Sequence, residues 1–186
     1  MDDKLLKSFL DIYLKYNPTF GSQYGMCQYD KYIEEPSVTN LLNEISEYEN
    51  WLDDHKKYSH TNNYCMIKAK IKKKIYDITI WKRPFIDPNY YFTIMYNSVF
   101  WIAERFPDKN ITKAVIKRIN QFKNIVDLMI INVKSVPKEY VAIWTNNISM
   151  FDEFNIDKKV KNKIFKTLSD ATYYLKILII LVMQLD

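Results

Sequence analysis

Glycine is nearly missing from this chain: its 186 residues include 2, beside 6 prolines, 2 cysteines and 2 histidines. So little glycine leaves nothing to build glycine-dependent hairpin turns or a glycine-rich phosphate loop, and it argues against β architecture. Two cysteines, Cys27 and Cys65, are too few for a disulfide framework. The N-terminus reads Met1-Asp2-Asp3, the wrong charge for a secretory leader, so the expectation is a cytoplasmic chain with reduced thiols. The longest apolar run, over residues 177–183, is too short to cross a bilayer. His55 and His60 stand five residues apart, off a shared helix face, and H-E-x-x-H is absent. No metal or cofactor site is expected.

What the chain has in quantity is aromatic residues, at 16%, mostly as 15 Tyr and 10 Phe. Hydrophobic content of 48% and charged content of 26% are those of a globular protein. A chain of this length can bury roughly 70% of the surface its unfolded form exposes, so residues 1–186 read as a single helical domain. The net charge of +5 reads as a lysine-rich solvated surface.

Helical periodicity runs through nearly the whole sequence. Leu5, Phe9, Leu10, Tyr13 and Tyr16 share a face, with Asp2 and Asp3 at the N-terminal end of the dipole and Pro18 as a stop. Residues 17–36 read as an irregular stretch in which Gly21 and Gly25 supply positive φ. Ser37 or Thr39 caps the next helix, whose stripe includes Leu41, Ile45, Tyr48, Trp51 and His55. A third starts near Thr61 or Asn62 and shows Tyr64, Ile67, Ile71, Ile75 and Ile78 on one side.

Pro84 is expected to close that helix, and Asp87-Pro88 to open the next by capping and a proline at its first position. This fourth helix carries Tyr91, Met95, Val99, Ile102 and Phe106 and stops at Pro107. One long helix then spans Ile111, Val115, Ile119, Phe122, Val126 and Val133. Pro137 begins a sixth, with Val141, Trp144, Ile148 and Phe151, and Asp157 caps a seventh that continues to Val182. The fold predicted is an all-α bundle of about seven antiparallel helices. Over residues 173–185 the last helix is apolar nearly all round, broken only by Lys176 and Gln184. Such a helix needs cover on every side, either as the centre of the bundle or against a second chain or a missing continuation, so Tyr173 through Leu185 is the expected surface for self-association or a protein partner.

No catalytic constellation is visible. Cys27 has no histidine nearby in sequence to act as its base. The carboxylates Glu34-Glu35, Glu47 with Glu49, and Asp53-Asp54 read as solvated faces, and Asp87 as a helix cap. Lys68, Lys70, Lys72, Lys73 and Lys74 form the strongest nucleic-acid signal. Ile67, Ile71 and Ile75 give that run an ordinary core face, and it lacks arginine, so a solvated lysine face is the preferred reading.

Several short signatures occur in order. Asn17-Pro18-Thr19-Phe20-Gly21 precedes Gly25-Met26-Cys27-Gln28-Tyr29-Asp30; a Ser-led helix follows from Ser37; then come Trp81 and Asp87-Pro88-Asn89-Tyr90-Tyr91. Further on stand Arg118-Ile119-Asn120-Gln121-Phe122 and Asn132-Val133-Lys134-Ser135-Val136-Pro137. This ordered set resembles the N-terminal helical half of the domain of unknown function 885 family, although Lys123-Asn124 stands where that family has a proline. The resemblance implies kinship with zinc metallopeptidase-like proteins whose H-E-x-x-H helix lies in their C-terminal half. No position here matches that motif, so it implies no catalytic, cofactor-binding or metal residue for this chain. It implies a non-catalytic scaffold or substrate-cleft half, as a fragment or a partner subunit.

Overall fold

The computed structural model describes residues 2–105, 109–154 and 156–183, with side chains over 4–105, 113–154 and 156–180. Phe106, Pro107 and Leu185 lie outside the described residues, and so do the side chains of Asp2, Asp3, Ile111 and Val182. The fold is all-α, with no strand among the described residues. Among the described residues eight helices have ten residues or more, one above the expected seven.

The chain opens with α1 (Asp2–Tyr16), α2 (Pro18–Gln23), α3 (Val38–Asp54) and α4 (Asn62–Thr79). A four-residue α5 (Arg83–Ile86) leads into α6 (Pro88–Ala103). Then follow α7 (Lys109–Ile119), α8 (Phe122–Asn132), α9 (Lys138–Asn147) and α10 (Lys158–Met183). The caps fall where side-chain chemistry asks for them. Ser37 Oγ accepts from the Asn40 N–H at 3.2 Å, Thr61 Oγ1 from Tyr64 at 3.3 Å, and Asp157 Oδ1 from Lys159 at 2.8 Å. Asp87 accepts from the Asn89 N–H at 2.9 Å while Pro88 takes the first helical position.

Four expectations change. The helix expected from Ile111 to Val133 is two, because the chain turns at Asn120 and Gln121. Asn120 Oδ1 takes a 2.6 Å bond from Lys163 Nζ, and Gln121 Nε2 reaches the Lys31 carbonyl at 3.1 Å. Pro84 does not end α4: that helix closes earlier, with the Trp81 N–H on the Tyr76 carbonyl at 3.0 Å and Lys82 left-handed at φ 53°. Pro84 instead sits in the first turn of α5.

Residues 17–36 are less irregular than expected, since Pro18 starts α2 and a 3₁₀ turn occupies Cys27–Tyr29. Gly25 has the expected positive φ, 77°, whereas Gly21 is helical and needed for proximity. A Cβ there would lie 2.6 Å from Tyr29 Cδ2.

Two apolar cores result. Phe9, Tyr48, Trp51, Tyr64 and Ile71 join α1, α3 and α4. The larger core joins α6 to α10 around Phe151, whose ring meets Phe92, Phe122, Tyr96 and Phe154 at 5.6–5.9 Å, each edge-on. The last helix turns one face inward through Ile164, Leu168, Ala171, Leu175 and Leu178. Tyr173 and Ile180 remain 71% and 55% exposed, so among the described side chains of α10 the apolar surface left open is a stripe and not the whole circumference.

Candidate functional site

Between the two cores lies a seam of polar side chains, and beside it, among the described residues, a cleft that is a candidate site. The sequence pattern explains how charge came to be inside. Glu44 occupies the stripe position between Leu41 and Tyr48, Lys74 that between Ile71 and Ile78, and Arg118 that between Val115 and Phe122. Each helix therefore turns its charge toward the interior along with its core residues. The sequence alone placed Lys74 on a lysine face, marked Arg118 only within a family-like motif and left Glu44 unmarked; this break in an apolar stripe is the signal that marks all three.

Glu44, 3% exposed, lies at the centre. Its Oε1 accepts from Asn17 Nδ2 at 3.0 Å and from the Tyr48 hydroxyl at 3.0 Å, and its Oε2 stands 3.5 Å from Lys74 Nζ. Lys74 also donates to Asn17 Oδ1 at 3.3 Å, so the residue at the α1–α2 bend bridges the pair. Lys74 was expected on a solvated lysine face; the α4 stripe instead directs it into the seam. Burial opposes its charge, but Tyr90, Glu44, Tyr13 and Glu34 outweigh that and hold its pKa above the ordinary lysine value.

Glu34 corrects a second expectation. It was grouped with Glu35 as a solvated pair, yet its carboxylate is enclosed while Glu35 is exposed. Both the Thr19 hydroxyl and the Thr19 N–H, the latter at 3.2 Å, donate to Glu34 Oε1. Glu34 Oε2 is buried and has no partner. Burial pushes this carboxyl up from the usual glutamate range, against the Thr19 bonds and the Arg118 charge. Burial likewise raises the Tyr90 phenol, which Lys74 pulls the other way.

Glu34, Glu44, Lys74 and Tyr90 line a void of about 10 Å³, the room for roughly one water. Tyr16, Glu35 and Asn40 form part of its wall and also belong to the open cleft beside it. That cleft has a volume of about 300 Å³, between the end of α1 and the segment leading to α3. Its apolar walls come from Leu14, Pro18, Ile33 and the rings of Tyr16, Tyr29 and Tyr32. Lys15 at its edge is matched by Glu47 at 2.5 Å, and the Tyr16 hydroxyl donates to the same carboxylate at 2.7 Å.

Arg118 anchors the segment that forms the far wall. It is 0% exposed and donates to Ser98 O at 2.7 Å, Ser22 Oγ at 2.6 Å and Tyr29 O at 3.0 Å. Burial lowers its pKa to about 10, with Glu34 and Asp30 opposing.

The remaining candidates stay apart. His55 stacks on Trp51 at 4.5 Å, with Nδ1 2.8 Å from the Trp51 carbonyl oxygen, while His60 is exposed. Cys27 is exposed, 3.5 Å from Arg105 Nη1, and Cys65 is exposed too. Asp53 and Asp54 are on the surface, and Asp87 caps α6. Among the described residues no cluster of His, Cys, Asp and Glu could hold a metal, and no helix is long and apolar enough to cross a membrane. The lysines of α4 divide their roles. Lys70 lies 4.3 Å from the Tyr13 ring centroid, Lys73 pairs with Asp77 at 2.6 Å, and Lys74 is in the seam.

No protein-family model matches the chain, and no curated protein matches it. A solved structure of a protein of unknown function from Shewanella oneidensis is similar in fold, with a TM-score of 0.72 at 18% identity. The match covers 100% of this chain and 38% of that one. At this identity it defines a shared helical fold, spanning well under half of the longer protein's length.

Proposed function

We propose that this chain is a non-catalytic helical scaffold that frames a ligand cleft, acting as one part of a larger assembly of the metallopeptidase-like kind its sequence signatures resemble. The observation that supports it most is the fold itself, which recurs over the whole chain as 38% of a longer polypeptide. The resembling motifs fit a framing role. Asp87 and Pro88 start α6, Asn89 Nδ2 reaches the Tyr140 carbonyl at 3.0 Å, and the Tyr91 hydroxyl donates to Pro84 O at 2.7 Å. Tyr90 alone of that motif faces the void under the cleft. Elemental analysis and a peptide-hydrolysis assay with added zinc test this reading on the purified chain. Stoichiometric zinc, or hydrolysis by the chain alone, overturns it.

A second reading is self-association through α10, favoured by the exposed stripe of Tyr173 and Ile180. Sedimentation at micromolar concentration decides it, and a monomer that binds no apolar dye rules it out.

A further inference from the structure

We propose that the cleft beside Tyr16 is a binding site for a primary ammonium group carried on an apolar or aromatic body, such as the amino terminus or a lysine of a peptide, with Glu35 as its charge partner. The proposal deepens the reading of the cleft as a ligand surface and rests on it.

Size comes first. About 300 Å³ is the lower end of small-molecule sites and fits one or two side-chain-sized groups. The walls suit a cation with an apolar body, since tyrosine faces attract ammonium groups. Two of these rings already do so: Lys15 Nζ lies 4.9 Å from the Tyr16 centroid and Lys31 Nζ lies 4.9 Å from the Tyr32 centroid.

Charge decides the class. Lys15 is neutralised by Glu47 at 2.5 Å. Glu35 is exposed, lines the cleft, and has no cation within ion-pairing distance among the described residues. The charge left unmatched in the lining is therefore negative. Behind the wall that Glu35 shares with the void, the buried Glu34 Oε2 lacks a hydrogen-bond donor. A donor brought to that wall completes Glu34 through the one water the void can hold. Lys31, beside Tyr32, is the cation that would compete.

The test is an NMR titration of the full chain with phenethylammonium chloride, with 2-phenylethanol and 3-phenylpropionate as neutral and anionic counterparts. The proposal expects saturable shifts at Tyr16, Ile33 and Asn40 with the amine, and no saturation with the other two. Glu35→Gln, at an exposed position that leaves the fold intact by circular dichroism, should weaken the amine by about tenfold, the loss of one charge-assisted contact. Lys31→Ala should tighten it. Equal binding of the alcohol and the amine, tighter binding of the acid, or an unchanged affinity in Glu35→Gln would each overturn the ammonium assignment. Absence of binding by all three compounds overturns it as well. None of these outcomes touches the zinc and hydrolysis tests of the scaffold reading.

Discussion

Lys74 Nζ stands 3.5 Å from Glu44 Oε2, with the two side chains 22% and 4% exposed, where the α1–α3–α4 core meets the larger one. Removing one partner from such a pair leaves the other charge enclosed and uncompensated, which costs more than the pair was worth. Lys74→Met should therefore destabilise the fold by about 3–5 kcal/mol. The double variant Lys74→Met with Glu44→Leu should recover most of that loss. Urea denaturation of the four proteins of this cycle measures the coupling, and additive losses would contradict it.

The same pair shows what the sequence reveals and what it conceals. Helix identity was legible because the long helices bury stripes at a 3.6-residue period and four of them carry a side-chain cap, at Ser37, Thr61, Asp87 and Asp157. The break at Asn120 was concealed because Val115, Ile119, Phe122 and Val126 hold helical spacing across it. At the break the side chains make tertiary contacts that no spacing reveals, Asn120 with a lysine from α10 and Gln121 with the Lys31 carbonyl. The site was concealed for a related reason. Glu34 and Glu35 are neighbours of the same chemistry, and only the packing of Thr19 against one of them makes it interior. Glu44 and Lys74 were detectable in principle as charges on apolar stripes, but their pairing joins separate helices.

Burial raises the Glu34 carboxyl above its ordinary value, so the folded state binds that proton more tightly than the unfolded chain does. The neutral acid's contribution is fully present below the unfolded pKa and is lost as pH rises through the folded one. Glu34→Gln keeps the acceptor for Thr19 and removes the ionisation. The stability of Glu34→Gln relative to the parent should become more favourable as pH rises from 4 to 8. Denaturant titrations at several pH values read this, and a difference that falls with pH would refute the assignment.

Three backbone positions predict opposite signs. Lys82 has φ 53°, a conformation that costs a side-chain-bearing residue about 1 kcal/mol or more, so Lys82→Gly should stabilise by about 0.5–1 kcal/mol. Gly25 has φ 77° with open space around it, so Gly25→Ala should destabilise by about 1 kcal/mol through strain alone. Gly21→Ala should cost about 1–3 kcal/mol by a different route, since its Cβ would meet Tyr29 Cδ2 at 2.6 Å. Tyr29→Ala removes the atoms that Cβ would meet, so its loss and that of Gly21→Ala should be less than additive, whereas Tyr29→Ala and Gly25→Ala should add, and thermal melts of the paired variants check this.

Arg118 carries its charge into the core without a carboxylate in ion-pairing distance among the described residues. Its guanidinium instead ties Ser22 and the Tyr29 carbonyl to the Ser98 carbonyl of α6, so it holds the far wall of the cleft against the larger core. Arg118→Met would free three polar groups of their donor at once, a loss of about 3 kcal/mol even after the relief of desolvating a charge. Lysine keeps the charge but not the planar fork that reaches three acceptors, so Arg118→Lys should be only a partial rescue. The informative measurement is local. Amides held within this segment, such as Met26 N–H on the Gly21 carbonyl at 3.0 Å, should lose hydrogen-exchange protection beyond the change in global stability. Protection at residues 21–32 that falls only in step with the whole fold would mean Arg118 stabilises the core without fastening the cleft wall.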